Sequence, residues 1–446
     1  MTINKPLLIR SFAIKGLFGT TDVQLSFQDD TTILIGENGL GKTQILNIFY
    51  YTLAQRFDKL AQYSFDSIAL ELGDEKVEFN KVLVDIMKQY SPSVRRVLKT
   101  IGVSNFIALL KGDPGSSVFR SISKEFSIPG EELFYVRREV GIVREPESLI
   151  FNNVSKVKEV LNDFLQNHQI LYFPTYRRVE EDLHNLGYKE ENFQTKSSDD
   201  RLIHFGMQDV DKQFKALTQK IEKLSTDGLA KISGEILSQL VKGIPDIDTD
   251  FLNNIKQKDI DIVLARVGNQ ISTEDKIRIK NIVATKAIQP KDYPMLFFLQ
   301  KLIAIYDEQR ELDRTIKVFR DICNKYLVNK ELIYDESHID IYIQVKDSNE
   351  KVPLRNLSSG EKQIISIFSK IYLSPAHHRF IVLFDEPELS LSIFWQRELL
   401  PDIVRSGKCA FLLAVTHSPF IFENELDQYA VSLGAYLTPS KTLQPV

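Results

Sequence analysis

Two cysteines in 446 residues, Cys323 and Cys409, are too few for a disulfide framework, and no CxxC pair marks a zinc site. That sparse usage fits a reducing cytoplasm. Long apolar runs are missing too: none approaches the ~18 residues that a membrane span needs. The opening stretch "MTINKPLLIRSFAIKGLF" breaks its apolar residues with charges and reads as a strand rather than a secretory leader. There is no excess of positive charge either, since 56 Lys and Arg stand against 60 Asp and Glu for a net charge of -4. A chain coated in nucleic-acid-binding charge is excluded, so any such contact is local or is made by a partner. What remains is a cytosolic protein of ordinary soluble composition, long enough for two or three domains.

Against these absences stands "TILIGENGLGKTQIL" at residues 32–46. Gly36, Gly41, Lys42 and Thr43 match G-x-x-x-x-G-K-[ST], with Glu37, Asn38 and Gly39 inside the loop and Gln44 after it. A β-branched strand, "TTILI", leads in, and an amphipathic helix, "QILNIFYYTLAQRF", leads out. That context lets successive backbone N–H groups and a helix N-terminus face the phosphates of a nucleoside triphosphate. Lys42 is expected on the β- and γ-phosphates and the Thr43 hydroxyl on Mg²⁺.

Three later stretches complete a set. "HRFIVLFDEPELSLS" carries an apolar strand ending in Asp385 and Glu386, the place where a parallel sheet keeps its ligand chemistry. Asp385 is expected to hold Mg²⁺ through water and Glu386 to polarise the attacking water. "RNLSSGEKQIISIFSK" follows Pro353 and opens a helix, with Ser358 as N-cap and Glu361 completing a capping box. Its N-terminus reads either as a well-made cap alone or as an anion site. "CAFLLAVTHSPFIF" is a further buried strand running out to Thr416, His417 and Ser418, and His417 is expected beside the Asp385 strand as a γ-phosphate sensor.

The order GxxxxGKT, LSSGEKQ, DEPE, THSP resembles an ABC-type ATPase head. The resemblance implies an α/β fold, a mixed sheet with flanking helices, interrupted by an inserted and mainly helical arm. It implies that Ser358, Ser359, Gly360 and Glu361 contact the ATP of an opposing protomer, so that the working unit is at least a dimer. Ser359, standing where LSGGQ has its first glycine, is a departure shared with Rad50-like and OLD-like ATPases. Gln208, in "RLIHFGMQDVDKQF", stands where such heads place an Mg²⁺-sensing glutamine.

The insertion between Lys42 and Ser358 is too long for a transporter head, and it resembles those of SMC, Rad50, RecF and OLD relatives. Residues 64 to 170 mix short strands such as "FDSIALEL" and "EELFYVRREVGIV" with helical stretches. "QILYFPTYRRVEEDL" is a strand running into Pro174, and it leaves Arg177 and Arg178 open between nucleotide, DNA and the neighbouring Glu180 and Glu181. "DVDKQFKALTQKIEKLSTDGLAKISGEILSQLV" and "YPMLFFLQKLIAIYDEQRELDRTIKVFRDICNKYL" read as two long amphipathic helices, able to pair as a short antiparallel arm. Phe18 reads as an N-terminal core aromatic rather than an adenine stacker. The segmentation is then 1–208 for the N-terminal lobe, 209–330 for the helical arm and 331–446 for the C-terminal lobe.

Residues 418–446 leave little room for the TOPRIM domain of OLD nucleases, and the seven histidines show no HNH-like cluster. An ATPase without a nuclease of its own is expected. "YFPTYRRVE", "HFGMQDV" and "LSSGEKQ" together resemble PtuA, the ATPase family of Septu antiphage systems, including retron-associated versions. Ser392 departs from the "LHP" that related chains carry there. The resemblance implies ATP and Mg²⁺ as ligands, self-association, and a separate HNH nuclease (PtuB) as partner. It extends that company to a retron reverse transcriptase and noncoding RNA or its DNA, with nucleic acid reached through the complex. A stand-alone RecF- or Rad50-like repair ATPase that binds DNA directly is the competing expectation, and a non-hydrolysing nucleotide sensor shares the same motifs.

Overall fold

The computed structural model describes residues 7–37, 39–81, 116–140, 147–174, 206–242, 256–268, 271–286 and 288–440, with isolated positions between 84 and 109. Asn38, Arg177 and Arg178 lie outside the described residues. The chain divides into two compact units, Met1–Ile203 with His377–Val446, and His204–Ala376. These limits differ from the segmentation at 208/209 and 330/331 that the motif order suggests.

In chain order the elements are β1 (Ile9–Leu17), β2 (Thr21–Ser26), β3 (Thr31–Ile35), α1 (Lys42–Leu53), β4 (Ser67–Leu72), β5 (Glu75–Asn80), α2 (Ser117–Glu125), α3 (Gly130–Val140), α4 (Glu147–Gln166) and β6 (Gln169–Phe173). The second unit holds α5 (Met207–Lys242), α6 (Gln257–Arg266), α7 (Thr273–Thr285), α8 (Tyr293–Asn324), β7 (Lys330–Asp335), β8 (Asp340–Val345), β9 (Lys351–Val352) and α9 (Ser359–Tyr372). The chain then returns to the first unit with β10 (Phe380–Asp385), α10 (Ile393–Arg405), β11 (Cys409–Thr416), β12 (Ala430–Ser432) and β13 (Leu437–Pro439).

The first unit is built on two sheets. One is antiparallel, ordered β13-β2-β1-β4-β5, and the other is parallel, ordered β12-β3-β11-β10-β6. β10, "FIVLFD", is buried at every residue, as a parallel strand covered on both faces must be. Helix α1 shares one core with both sheets. Its Ile45, Ile48 and Phe49 join Phe12 and Phe27 from the antiparallel side and Leu383, Phe411 and Leu413 from the parallel side. Phe49 meets Phe12 edge-on at 4.8 Å, and Phe27 meets Phe411 at 5.1 Å. The helix is therefore buried round most of its circumference rather than along one stripe.

One expected strand is a helix. "EELFYVRREVGIV" contributes α3, whose Leu133 and Val136 are fully buried one turn apart while Tyr135 between them faces out. Glu131 and Glu132 open the helix and Arg137 and Arg138 close it, each charge complementing the nearer end of the helix dipole. Aromatic and β-branched residues suggested a strand there, and the three-residue spacing of the buried pair prevails.

In the second unit α5 and α8 run antiparallel, because partners fall on one as they rise on the other. Ser225 accepts from Gln309 Nε2 at 2.9 Å, Gly228 faces Ile305, and Glu235 pairs with Lys301 at 2.7 Å. A Cβ at Gly228 would sit 2.6 Å from Ile305 Cδ1, so any larger residue would have to displace the Ile305 side chain. The 36 residues of α5 span about 54 Å. Below this pair lies a buried ionic hub. Arg266 donates to both Asp313 oxygens at 2.9 and 3.0 Å, to Gln309, and to the Glu336 carbonyl at 2.9 Å, while the Tyr334 hydroxyl also donates to Asp313. The Arg266 and Asp313 side chains are only 6% and 2% exposed.

Removing one partner of such a pair leaves an uncompensated buried charge. Asp313→Ala is expected to destabilise the second unit by roughly 3–5 kcal/mol in chemical denaturation. A loss below about 1 kcal/mol, the level of a surface pair, would show the hub to be incidental.

Candidate nucleotide site

Parallel register builds this site. Ile35 at the end of β3 lies opposite Thr416 of β11, and Val415 lies opposite Asp385 of β10. Three adjacent carboxyl ends therefore arrive in step, which brings the loop 36–43, the turn after Asp385 and the segment after Thr416 side by side. The loop folds back through left-handed glycines, Gly39 at φ 90° and Gly41 at φ 78°. Gly41 is also the N-cap of α1 and offers no side-chain cap, so the first amides of the helix are left for a ligand.

Lys42 is only 6% exposed. Its Nζ donates to the carbonyls of Gly36 at 2.6 Å and Glu37 at 2.9 Å, and it lies 2.5 Å from His417 Nε2. Burial pushes the lysine pKa down, and the charges of Glu386, Asp385 and Glu388 oppose that shift. Thr43 Oγ1 donates to Asp385 Oδ1 at 3.1 Å. Glu386 adopts a left-handed backbone (φ 52°), held by its N–H to the Val415 carbonyl at 2.9 Å, and its Oε1 lies 3.7 Å from His417 Nε2. Sequence reading brought Gly36, Glu37, Gly39, Gly41, Lys42, Thr43, Gln44, Asp385, Glu386 and His417 into one proposal, and all of them belong to the first unit.

The remaining candidates, Gln208 and Ser358–Glu361, belong to the second unit. Gln208 lies in the first turn of α5. Ser358 caps α9 in a complete capping box: its Oγ accepts from Glu361 N at 3.3 Å, and its own N–H donates to Glu361 Oε2 at 2.8 Å. Ser359 and Gly360 form the first turn. Lys330 of β7 clamps both Glu361 oxygens at 2.9 and 3.1 Å. Burial pushes the Glu361 carboxyl up, but the bonds from Lys330 and Ser358 outweigh it and hold the group below the usual carboxylate range.

Sequence reasoning misplaced Phe18 and passed over Glu388. Phe18 is 47% exposed at φ 57°, not a core residue, and its Cε2 would lie 3.6 Å from a Cβ built on Gly41. The signal for its exposure was its place between Gly16 and Gly19 in "GLFG". Glu388 accepts from the His417 amide at 2.9 Å and from the Thr416 hydroxyl at 2.8 Å. Ser392, the departure from "LHP", caps α10 by accepting from Trp395 N.

The donor set fits a magnesium nucleotide: open amides and a lysine suit phosphate, and the Thr43 hydroxyl with the Asp385 carboxylate offers the hard oxygens that Mg²⁺ takes. Fold and site together define an ATPase of the phosphate-loop class. A family model for the AAA ATPase domain matches residues 8–422, and the chain belongs to that family. The Retron Vc95 probable ATPase of Vibrio cholerae serotype O1 biovar El Tor is 22% identical over 410 residues, which cover 89% of this chain and 67% of that protein. Among solved structures, the Smc head bound to the C-winged helix domain of ScpA is 11% identical at a TM-score of 0.33, covering 93% of this chain and 90% of its own. The Smc head with an extended coiled coil bound to the C-terminal domain of ScpA derived from Pyrococcus furiosus is 12% identical at a TM-score of 0.31, with the same coverage.

Lys42→Ala removes the buried ammonium and is expected to weaken ATP binding roughly 100-fold or more, in line with the loss of charge-assisted hydrogen bonds. Titration calorimetry on protein whose circular dichroism is unchanged measures it; an unaltered Kd would take Lys42 out of the site.

Proposed function

We propose that the chain is the ATPase subunit of a Septu-like antiphage complex, one that dimerises head to head around ATP·Mg²⁺ and regulates a separate HNH nuclease in the cytoplasm. The constellation of Lys42, Thr43, Asp385, Glu386 and His417 at three strand ends carries the hydrolytic part of this reading. The likeness to a retron ATPase and the "PTYRR" and "FGMQDV" stretches support the rest. Among the described residues no helix is long and apolar enough to cross a membrane.

In this reading residues 1–208 and 331–446 are the two lobes of an ABC-type head and 209–330 its helical arm. Thr43 and Asp385 would hold Mg²⁺, which when bound supplies positive charge to the phosphate oxygens, and Gln208 joins that set on the family resemblance alone. Gly36, Glu37, Asn38, Gly39, Gly41, Thr43 and Gln44 of the motif, with the Lys42 ammonium, bind the triphosphate. Phe18 carries the base on its exposed face. Glu386 accepts the proton of the attacking water, and His417 reads the γ-phosphate beside it. Ser358, Ser359, Gly360 and Glu361 reach the nucleotide of the partner protomer through the N-terminus of α9.

Glu386→Gln keeps the shape and removes the base, and it is expected to slow hydrolysis by roughly 100-fold while ATP binding persists. An unchanged rate places the base elsewhere. The same purification tests the assembly: a small HNH protein at stoichiometric yield, identified by intact mass, supports a nuclease carried in trans. A clean homodimer whose hydrolysis rises with DNA in a strongly salt-dependent way moves the reading to a stand-alone DNA-binding ATPase.

A further inference from the structure

The last residue of β11 and the residue after it both donate to a single carboxylate. Ser418 N–H donates to Thr416 Oγ1 at 2.9 Å, which commits that oxygen as an acceptor and directs its proton elsewhere. The Thr416 proton goes to Glu388 Oε2 at 2.8 Å, since the competing Ser418 carbonyl is farther, at 3.4 Å. The His417 N–H goes to the other oxygen, Glu388 Oε1, at 2.9 Å. Thr416 is fully buried, so its hydroxyl has no water to turn to. Each of the two bonds ends on a carboxylate oxygen, a stronger acceptor than a neutral carbonyl or hydroxyl.

Glu388 is itself held in place. Gln396 of α10 donates from Nε2 to the carbonyls of Leu391 at 3.0 Å and Glu388 at 3.4 Å, and its Oε1 accepts from Ser418 Oγ at 2.7 Å. The turn after β10 and the segment after β11 are thus tied by two side chains. What hangs from this tie is the imidazole of His417, beside Lys42 Nζ and 3.7 Å from Glu386 Oε1. Its backbone cannot shift without breaking its own bond to Glu388.

We infer that Glu388 is a positioning residue for ATP hydrolysis: its carboxylate fixes the main chain of Thr416–Ser418 so that the His417 ring stays between Lys42 and Glu386. The inference rests on the reading of His417 as the γ-phosphate sensor. A carboxylate is required because two donors meet two acceptors. Glutamine would offer one oxygen and turn its amide N–H groups toward the other donor.

The test uses the full chain with Mg²⁺ and ATP, comparing wild type, His417→Ala, Glu388→Gln, Thr416→Val and the double variant Glu388→Gln/His417→Ala. Glu388→Gln is expected to lower kcat roughly 10-fold with KM changed less than about twofold, and Thr416→Val to lower it less. The double variant is expected to be no slower than His417→Ala, because the carboxylate acts through that ring. In parallel, the His417 imidazole resonances, assigned by their loss in His417→Ala, are expected to move in Glu388→Gln. That readout decides the matter where His417→Ala leaves no measurable turnover. Wild-type turnover by Glu388→Gln, multiplying effects in the double variant, or unmoved resonances would overturn the positioning role while His417 kept its own. Wild-type turnover by His417→Ala alone would instead bring down the sensor reading, and this inference with it.

Discussion

A buried ammonium at the carboxyl ends of three parallel strands sets the terms for the first unit. Taking Lys42 out of water is costly, and the structure offsets that cost with two loop carbonyls, an imidazole and the field of three carboxylates. The carbonyls are available because left-handed glycines turn the loop back over the lysine. The carboxylates are available because β10 and β11 end in register with β3. The core around α1 then has to be dense, since a helix that slid by one residue would carry Lys42 and Thr43 away from both partners. Site and core are one problem in mechanics.

The second unit solves a different electrostatic problem with similar means. Glu361 is anionic at the very helix end where a phosphate is expected to dock, and Lys330 neutralises it from the neighbouring strand. The same strand also carries Tyr334, bonded to Asp313 in the ionic hub. β7 therefore touches both the capped end of α9 and the base of the helical arm, six residues spanning two charged clusters.

Local features were legible in the sequence and long-range ones were not. The phosphate loop, the Ser358–Glu361 capping box and the two long helices are written in spacings of three to eight residues, and each appears where those spacings put it. Register is a different matter: nothing in "FIVLF" or "FLLAV" says that Asp385 faces Val415, and that pairing decides which side chains meet. Segment α3 was misread because Phe134, Tyr135 and Val136 suit a strand taken one by one. Phe18 was misread because an aromatic near an apolar strand is usually core, whereas its positive φ turns it outward. Glu388 escaped notice because its role exists only across two strand ends that lie apart in sequence.

The antiparallel pairing of α5 and α8 has a consequence for motion. Two smooth helices can creep past one another through a series of nearly equal positions, but these two are keyed. A single glycine admits a single isoleucine, a serine meets a glutamine, and a glutamate pairs with a lysine. No other axial offset satisfies all three at once, and a slip of one turn would drive Ile305 out of the gap at Gly228 and part Ser225 from Gln309. A push on the far end therefore arrives at the base as tilt or torsion of a rigid spar, never as sliding. The arm is a lever with its travel fixed at the root.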